Sequence, residues 1–109
     1  MQEIALHEVK VEMKAVSVII PAYNAERTIG ECLNAIQNLD WDGEIEVIVI
    51  DDASTDNTAK IAQRFSGVKI IPVLHGGAAR AMNIGIKAAA HDIVVSVDSD
   101  AILEKDPYA

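Results

Sequence analysis

Four short apolar runs recur along the chain, and each is cut off by polar or turn-forming residues. Ala15-Val16-Ser17-Val18-Ile19-Ile20 stops at Pro21, and Ile45-Glu46-Val47-Ile48-Val49-Ile50 stops at Asp51 and Asp52. Val68-Lys69-Ile70-Ile71-Pro72-Val73 and Ile93-Val94-Val95-Ser96-Val97 complete the set. Runs of this length, rich in β-branched residues, predict strands, and their near-continuous apolarity marks a sheet covered on both faces. Between them the spacing becomes helical. Ala25, Ile29, Cys32, Leu33 and Ile36 form one stripe, with Asn24 placed to cap it. Thr58, Ile61, Ala62 and Phe65 form a second, preceded by potential capping side chains and ended by Gly67. Gly76-Gly77 breaks the chain before a third, whose face of Ala78, Ala81, Met82, Gly85 and Ala89 is built from small residues. Asn83 and Gly85 are read as letting that helix pack closely.

Strand and helix therefore alternate, which predicts an α/β fold: a three-layer sandwich with a mostly parallel sheet and helices on both faces. Pro72 cannot donate to a ladder, so the third strand belongs at an edge. Residues 15–109 make one domain. Residues 1–14 precede it as an arm or a short edge strand, in which Val9, Val11 and Met13 alternate with charged residues.

The polar residues that end the runs fall at the carboxyl ends of the strands. In an open parallel sheet those ends share one rim, and ligands bind there in the crevice where the winding reverses. With strand order 3-2-1-4 the reversal lies between strands one and four. Tyr23 and Asp98 then flank one crevice, with Asp52 close by. Tyr23 offers an aromatic face to a base, or simply covers the sheet edge. Asp52 can accept a hydrogen bond from a ring N–H, while Asp51 is better suited to capping the next turn. Asp98 and Asp100 point the same way if the strand continues that far. Two carboxylates held together suit Mg2+ or Mn2+, which take oxygen ligands and keep positions for phosphate oxygens. Arg80, beside the glycine pair, either reaches a phosphate or is a solvated helix residue. His75 and Cys32 are read as structural or incidental.

Charge and cysteine content narrow the classes. The 109 residues carry 17 acidic and 9 basic side chains, a net charge of -8, which argues against nucleic acid or an anionic membrane as partner. The single Cys32 excludes an intrachain disulfide and a thiolate metal cluster. No membrane segment or signal peptide is recognisable, so a cytoplasmic location is expected. The absence of G-x-G-x-x-G after the first strand disfavours a nicotinamide-dependent dehydrogenase. A phosphate-accepting receiver domain is disfavoured too, because the third strand ends in Val73-Leu74-His75 without an aspartate.

Four stretches together, VSVIIPAYN (16–24), DDASTDNT (51–58), GGAARAMNIG (76–85) and VDSD (97–100), resemble the family 2 glycosyltransferases in order and spacing. The resemblance implies the Rossmann-like, nucleotide-sugar-binding half of a GT-A fold. It implies inverting transfer of a sugar from a nucleoside diphosphate donor, a UDP- or GDP-sugar, with Mg2+ or Mn2+ as helper. It places Pro21, Ala22 and Tyr23 at the base and matches Asp52 to the aspartate that bonds it; Asn24, Asp51 and Arg80 are further candidates for contact with the nucleotide-sugar. Asp98 and Asp100 become the metal and diphosphate motif. Two departures stand out. Ala78 occupies a position where many relatives have Lys, and the carboxylate that activates the acceptor belongs to a later segment. Neither Glu104 nor Asp106 is assigned that role. The alternative is a nucleotide- or nucleotide-sugar-binding module without transfer activity. A sheet ending at strand four also leaves an edge open to self-association, so a homo-oligomer is expected.

Overall fold

The computed structural model describes residues 15–101, so the arm at 1–14, Glu104 and Asp106 lie outside the described residues. Four strands form one parallel sheet in the order β3-β2-β1-β4, with β1 spanning Val16–Ala22, β2 Ile45–Asp51, β3 Val68–Pro72 and β4 Ile93–Ser96. The helices are α1 (Ile29–Gln37), α2 (Thr58–Ala62) and α3 (Ala78–Ala88). The expected α/β architecture and strand order are observed, and every pairing among these strands is parallel.

Alternation along β1 and β2 divides the core into two layers. Val16, Val18, Ile20, Val47 and Val49 face α1 and α2, where Ile29, Cys32, Leu33, Ile36 and Ala62 meet them. Ile19, Ile48 and Ile50 face Ala81 of α3 on the other side. The approach of α3 is set by Gly85, where even a Cβ would collide with Ile19. That face is therefore small because the helix lies almost on the sheet.

Boundaries differ from the sequence reading: α2 ends at Ala62, short of Phe65 and Gly67, β3 ends at Pro72, and three further differences bear on the rim. β1 does not stop at Pro21 but continues to Ala22, paired with Asp51. Residues of one parity in a parallel strand bond to the same neighbour. Ile19 accepts from Val97 on the β4 side, so the nitrogen of Pro21 faces that side too, beyond the last pairing of Ile19 with Ser96. No ladder donor is required there, and proline is tolerated. Asn24 does not cap α1, which begins at Ile29 after a turn on the carbonyl of Ala25. Instead Asn24 takes a left-handed conformation (φ 47°). Its side-chain oxygen accepts the Thr55 N–H at 2.8 Å. Finally, β4 ends at Ser96, so the alternation argument for Asp98 and Asp100 does not apply.

At the amino ends of the strands a buried polar cluster fastens the α3–β4 connection. Glu46 accepts from Ser17 Oγ at 2.7 Å, the Ala90 N–H at 2.8 Å and Lys69 Nζ at 2.5 Å. The Ala90 N–H foremost, then Lys69, hold the Glu46 carboxyl at about 2. Trp41, in the α1–β2 loop, borders an apolar hollow of about 290 Å3 with Val16, Leu39, Ile45 and Val95. Among the described residues, no helix is long and apolar enough to cross a membrane.

Candidate functional site

Beyond Ile19 and Ser96, β1 and β4 part company, and the gap between them is the crevice expected where the winding reverses. A cleft of about 270 Å3 opens there, lined by Pro21, Ala22, Tyr23, Asp52, Ala78, Asp98 and Ser99. Five of the residues singled out in the sequence thus meet on one surface, from the carboxyl ends of β1, β2 and β4. Asn24, Asp51, Arg80 and Asp100 are not among its lining residues.

The loops after β1 and β2 are bolted together. Asn24 N–H donates to Ser54 Oγ at 2.9 Å and Ala25 N–H to Thr58 Oγ1 at 2.8 Å. Glu26 N–H donates to Asp56 Oδ2, and Asn57 N–H returns a bond to Glu26 Oε2. Asp51 serves this turn, accepting the Ser54 N–H at Oδ1 over 3.1 Å. This bond is structural, and Asn24 brackets the two loops. Together they fix Tyr23, which projects from the β1 end with 51 % of its surface exposed.

Asp52 sits deeper, 4 % exposed. Oδ1 accepts the Gly76 N–H at 2.9 Å and Oδ2 the Gly77 N–H at 3.1 Å. His75 adds a contact that sequence reasoning missed. Its Nδ1 lies 3.1 Å from Asp52 Oδ2, and its ring centroid is 4.7 Å from that of Tyr23. Nothing in the pattern around His75 announces this, because the contact depends on how the glycine turn folds back over β2. Gly77 has φ 89°, a conformation that glycine adopts without strain. Arg80 is not a lining residue of the cleft; it donates from Nη1 to the Leu74 carbonyl at 2.9 Å. It lies over Gly76, where a Cβ would strike it.

On the opposite wall, Asp98 begins a turn closed by the Ala101 N–H on its carbonyl at 2.9 Å. The buried Cys32 thiol donates to the same carbonyl at 3.5 Å. Burial first, then the negative charges of Asp100 and Asp98, push that thiol up from its usual value. Both carboxylates thus lie within electrostatic reach of the thiol, although no strand aligns them. Their oxygen donors fit Mg2+ or Mn2+. Among the described residues no three metal-ligating side chains gather.

Known proteins resemble this chain in sequence and fold. A family model described as glycosyl transferase family 2 matches residues 17–108. Poly(ribitol-phosphate) beta-N-acetylglucosaminyltransferase TarS of Staphylococcus aureus is 36% identical over 100 residues, covering 86% of this chain and 18% of that protein. A crystal structure of residues 1–349 of S. aureus TarS in complex with UDP-GlcNAc matches with a TM-score of 0.75 and 37% identity, over 79% of this chain and 26% of that one. A mannosyltransferase from Pyrobaculum calidifontis, in complex with GDP-Man and Mn2+, matches with a TM-score of 0.75 and 34% identity, over 80% of this chain and 28% of that one. The sheet is that of the GT-A glycosyltransferases. The chain spans less than a third of the length of each of these relatives.

Proposed function

The chain belongs to glycosyl transferase family 2, and from that premise we propose that it forms the donor-binding part of an inverting, metal-dependent glycosyltransferase. The donor is a nucleoside diphosphate sugar, with UDP- and GDP-sugars as the candidates. The observation that carries this reading is the convergence of Pro21, Ala22, Tyr23, Asp52 and Asp98 on one cleft at the sheet's switch point. Complexes of similar proteins with UDP-GlcNAc and with GDP-Man and Mn2+ support it.

In this role Pro21, Ala22 and Tyr23 form the wall for the base, and the exposed Tyr23 ring offers it a stacking face. Asp52 accepts a hydrogen bond from the base. Asp98 and Asp100 hold the metal, and Cys32 steadies the Asp98 backbone from below. When bound, Mg2+ or Mn2+ supplies Lewis-acid stabilisation of the negative charge on the departing nucleoside diphosphate. None of the described residues is assigned the deprotonation of the acceptor.

Calorimetric titration with UDP and GDP, with and without Mn2+, tests the reading. Saturable binding that requires the metal is expected, with a loss of about tenfold or more in Asp98→Ala and Asp100→Ala. Metal-independent binding untouched by either substitution would refute it. Release of sugar from a nucleotide-sugar in the presence of metal separates a transferase from a module that only binds.

A further inference from the structure

The α1–β2 loop presents a half-exposed aromatic ring at the end of the sheet remote from the cleft. Trp41 N–H donates to the Leu39 carbonyl at 3.0 Å, and Leu39 N–H to the Ile36 carbonyl at 3.2 Å, so the turn is held by its own backbone. Trp41 nevertheless keeps 45 % of its surface exposed. Beside it runs a groove of about 480 Å3, bounded also by Ser66, Gly67 and Val68 where the chain enters β3. The groove shares Ile36, Leu39, Trp41 and Ile45 with the apolar hollow of about 290 Å3, so both open onto one loop. Its size falls within the roughly 300–1,000 Å3 usual for small-ligand sites.

The lining is neutral throughout. None of its ten residues is charged, in a chain of net charge -8, and Asp40 and Asp42, which flank Trp41 along the chain, are not among them. No cation is present to take a phosphate, and no carboxylate to take an ammonium. Two polar side chains do line the groove, Gln37 and Ser66. Gln37 Nε2 donates to the Ser66 carbonyl at 3.0 Å, tying the end of α1 to the approach to β3. A carbonyl only accepts, so the amide nitrogen is committed there and Oε1 is left as an acceptor; the Ser66 hydroxyl can donate and accept. We propose that this groove is a second, non-reacting binding site for a neutral saccharide. A sugar ring has an apolar C–H face and a rim of uncharged hydroxyls. The face packs on the Trp41 indole, and the hydroxyls bond to Gln37 Oε1 and the Ser66 hydroxyl. The groove lies at the amino ends of β2 and β3 and the cleft at the carboxyl ends, so a saccharide held here is out of reach of donor chemistry. The inference goes beyond the donor-binding reading and does not rest on it, because the two sites share no residue.

NMR titration of the whole 15N-labelled chain with maltotriose, cellotriose and N-acetylchitotriose tests this. At least one of them is expected to shift the Trp41 indole and the Ser66 and Gly67 amide signals saturably, with a Kd of about 1 mM. The Gly76 and Gly77 signals at the cleft should stay in place. Affinity should fall about fivefold in Trp41→Ala and recover in Trp41→Phe, which keeps an aromatic face. Gln37→Ala should cost several-fold through the lost acceptor. Trp41 and Gln37 are both exposed, so the core is undisturbed by these changes. Sugar binding that survives Trp41→Ala undiminished overturns the proposal. Absence of any shift at the groove with all three sugars overturns it too, and a Trp41→Ala variant that then loses concentration-dependent self-association gives the groove to a second copy of the chain.

Discussion

Glu46 and Asp52 are both buried carboxylates that accept from the backbone, Glu46 from one N–H and Asp52 from two, yet they lie at opposite ends of the sheet and do different work. Glu46 fastens the fold. Truncating it in Glu46→Ala leaves the Ser17 hydroxyl and the Ala90 N–H without their acceptor, and a loss of about 2–4 kcal/mol is expected in urea unfolding at neutral pH. Its folded-state pKa of about 2 lies below the ordinary 4.5. The stabilisation is thus complete above the ordinary value and disappears as pH falls from about 4.5 to about 2. Glu46→Gln should flatten that part of the acid-unfolding profile; a profile of unchanged steepness would exclude Glu46 as its source. Asp52 could be marked from sequence as a ligand-facing acid because it closes an apolar run. Its bonds to Gly76 and Gly77 were hidden, since they join positions that only the turn brings together. Asn24 misled for a related reason: it favours helix caps but also tolerates the left-handed backbone that it adopts here.

At the level of elements, periodicity revealed nearly everything that the hydrophobic effect controls. Strands, helices, their order and the edge position of β3 follow from which residues must leave water. Element ends were less legible, because they depend on which neighbour is still present. Pro21 stays within β1 only because β4 has already ended beside it. Gly85 offers a test of the close contact between α3 and β1. Helix propensity alone favours Gly85→Ala by up to about 1 kcal/mol. The collision with Ile19 opposes it, and a net destabilisation of about 1–3 kcal/mol is expected. Thermal unfolding decides by sign: a higher Tm would mean that α3 can move off the sheet at little cost.

Across the whole molecule, β4 has no strand on its outer side among the described residues, and Ile93 and Val95 are substantially exposed there. Such an edge is a template for another chain. Self-association in sedimentation experiments is expected to grow with concentration, and Val95→Lys should return the protein to a monomer. A monomeric mass at high concentration in the unaltered chain would reject that edge as a contact. Trp41 is the sole tryptophan, and it borders the hollow at the strands' amino ends, across the sheet from the cleft. Its indole emission should therefore act as an internal standard, steady through nucleotide titrations and changing only when the protein melts. A fluorimeter would then follow unfolding with donor and metal already in the cuvette, and read their protection as a displaced melting curve.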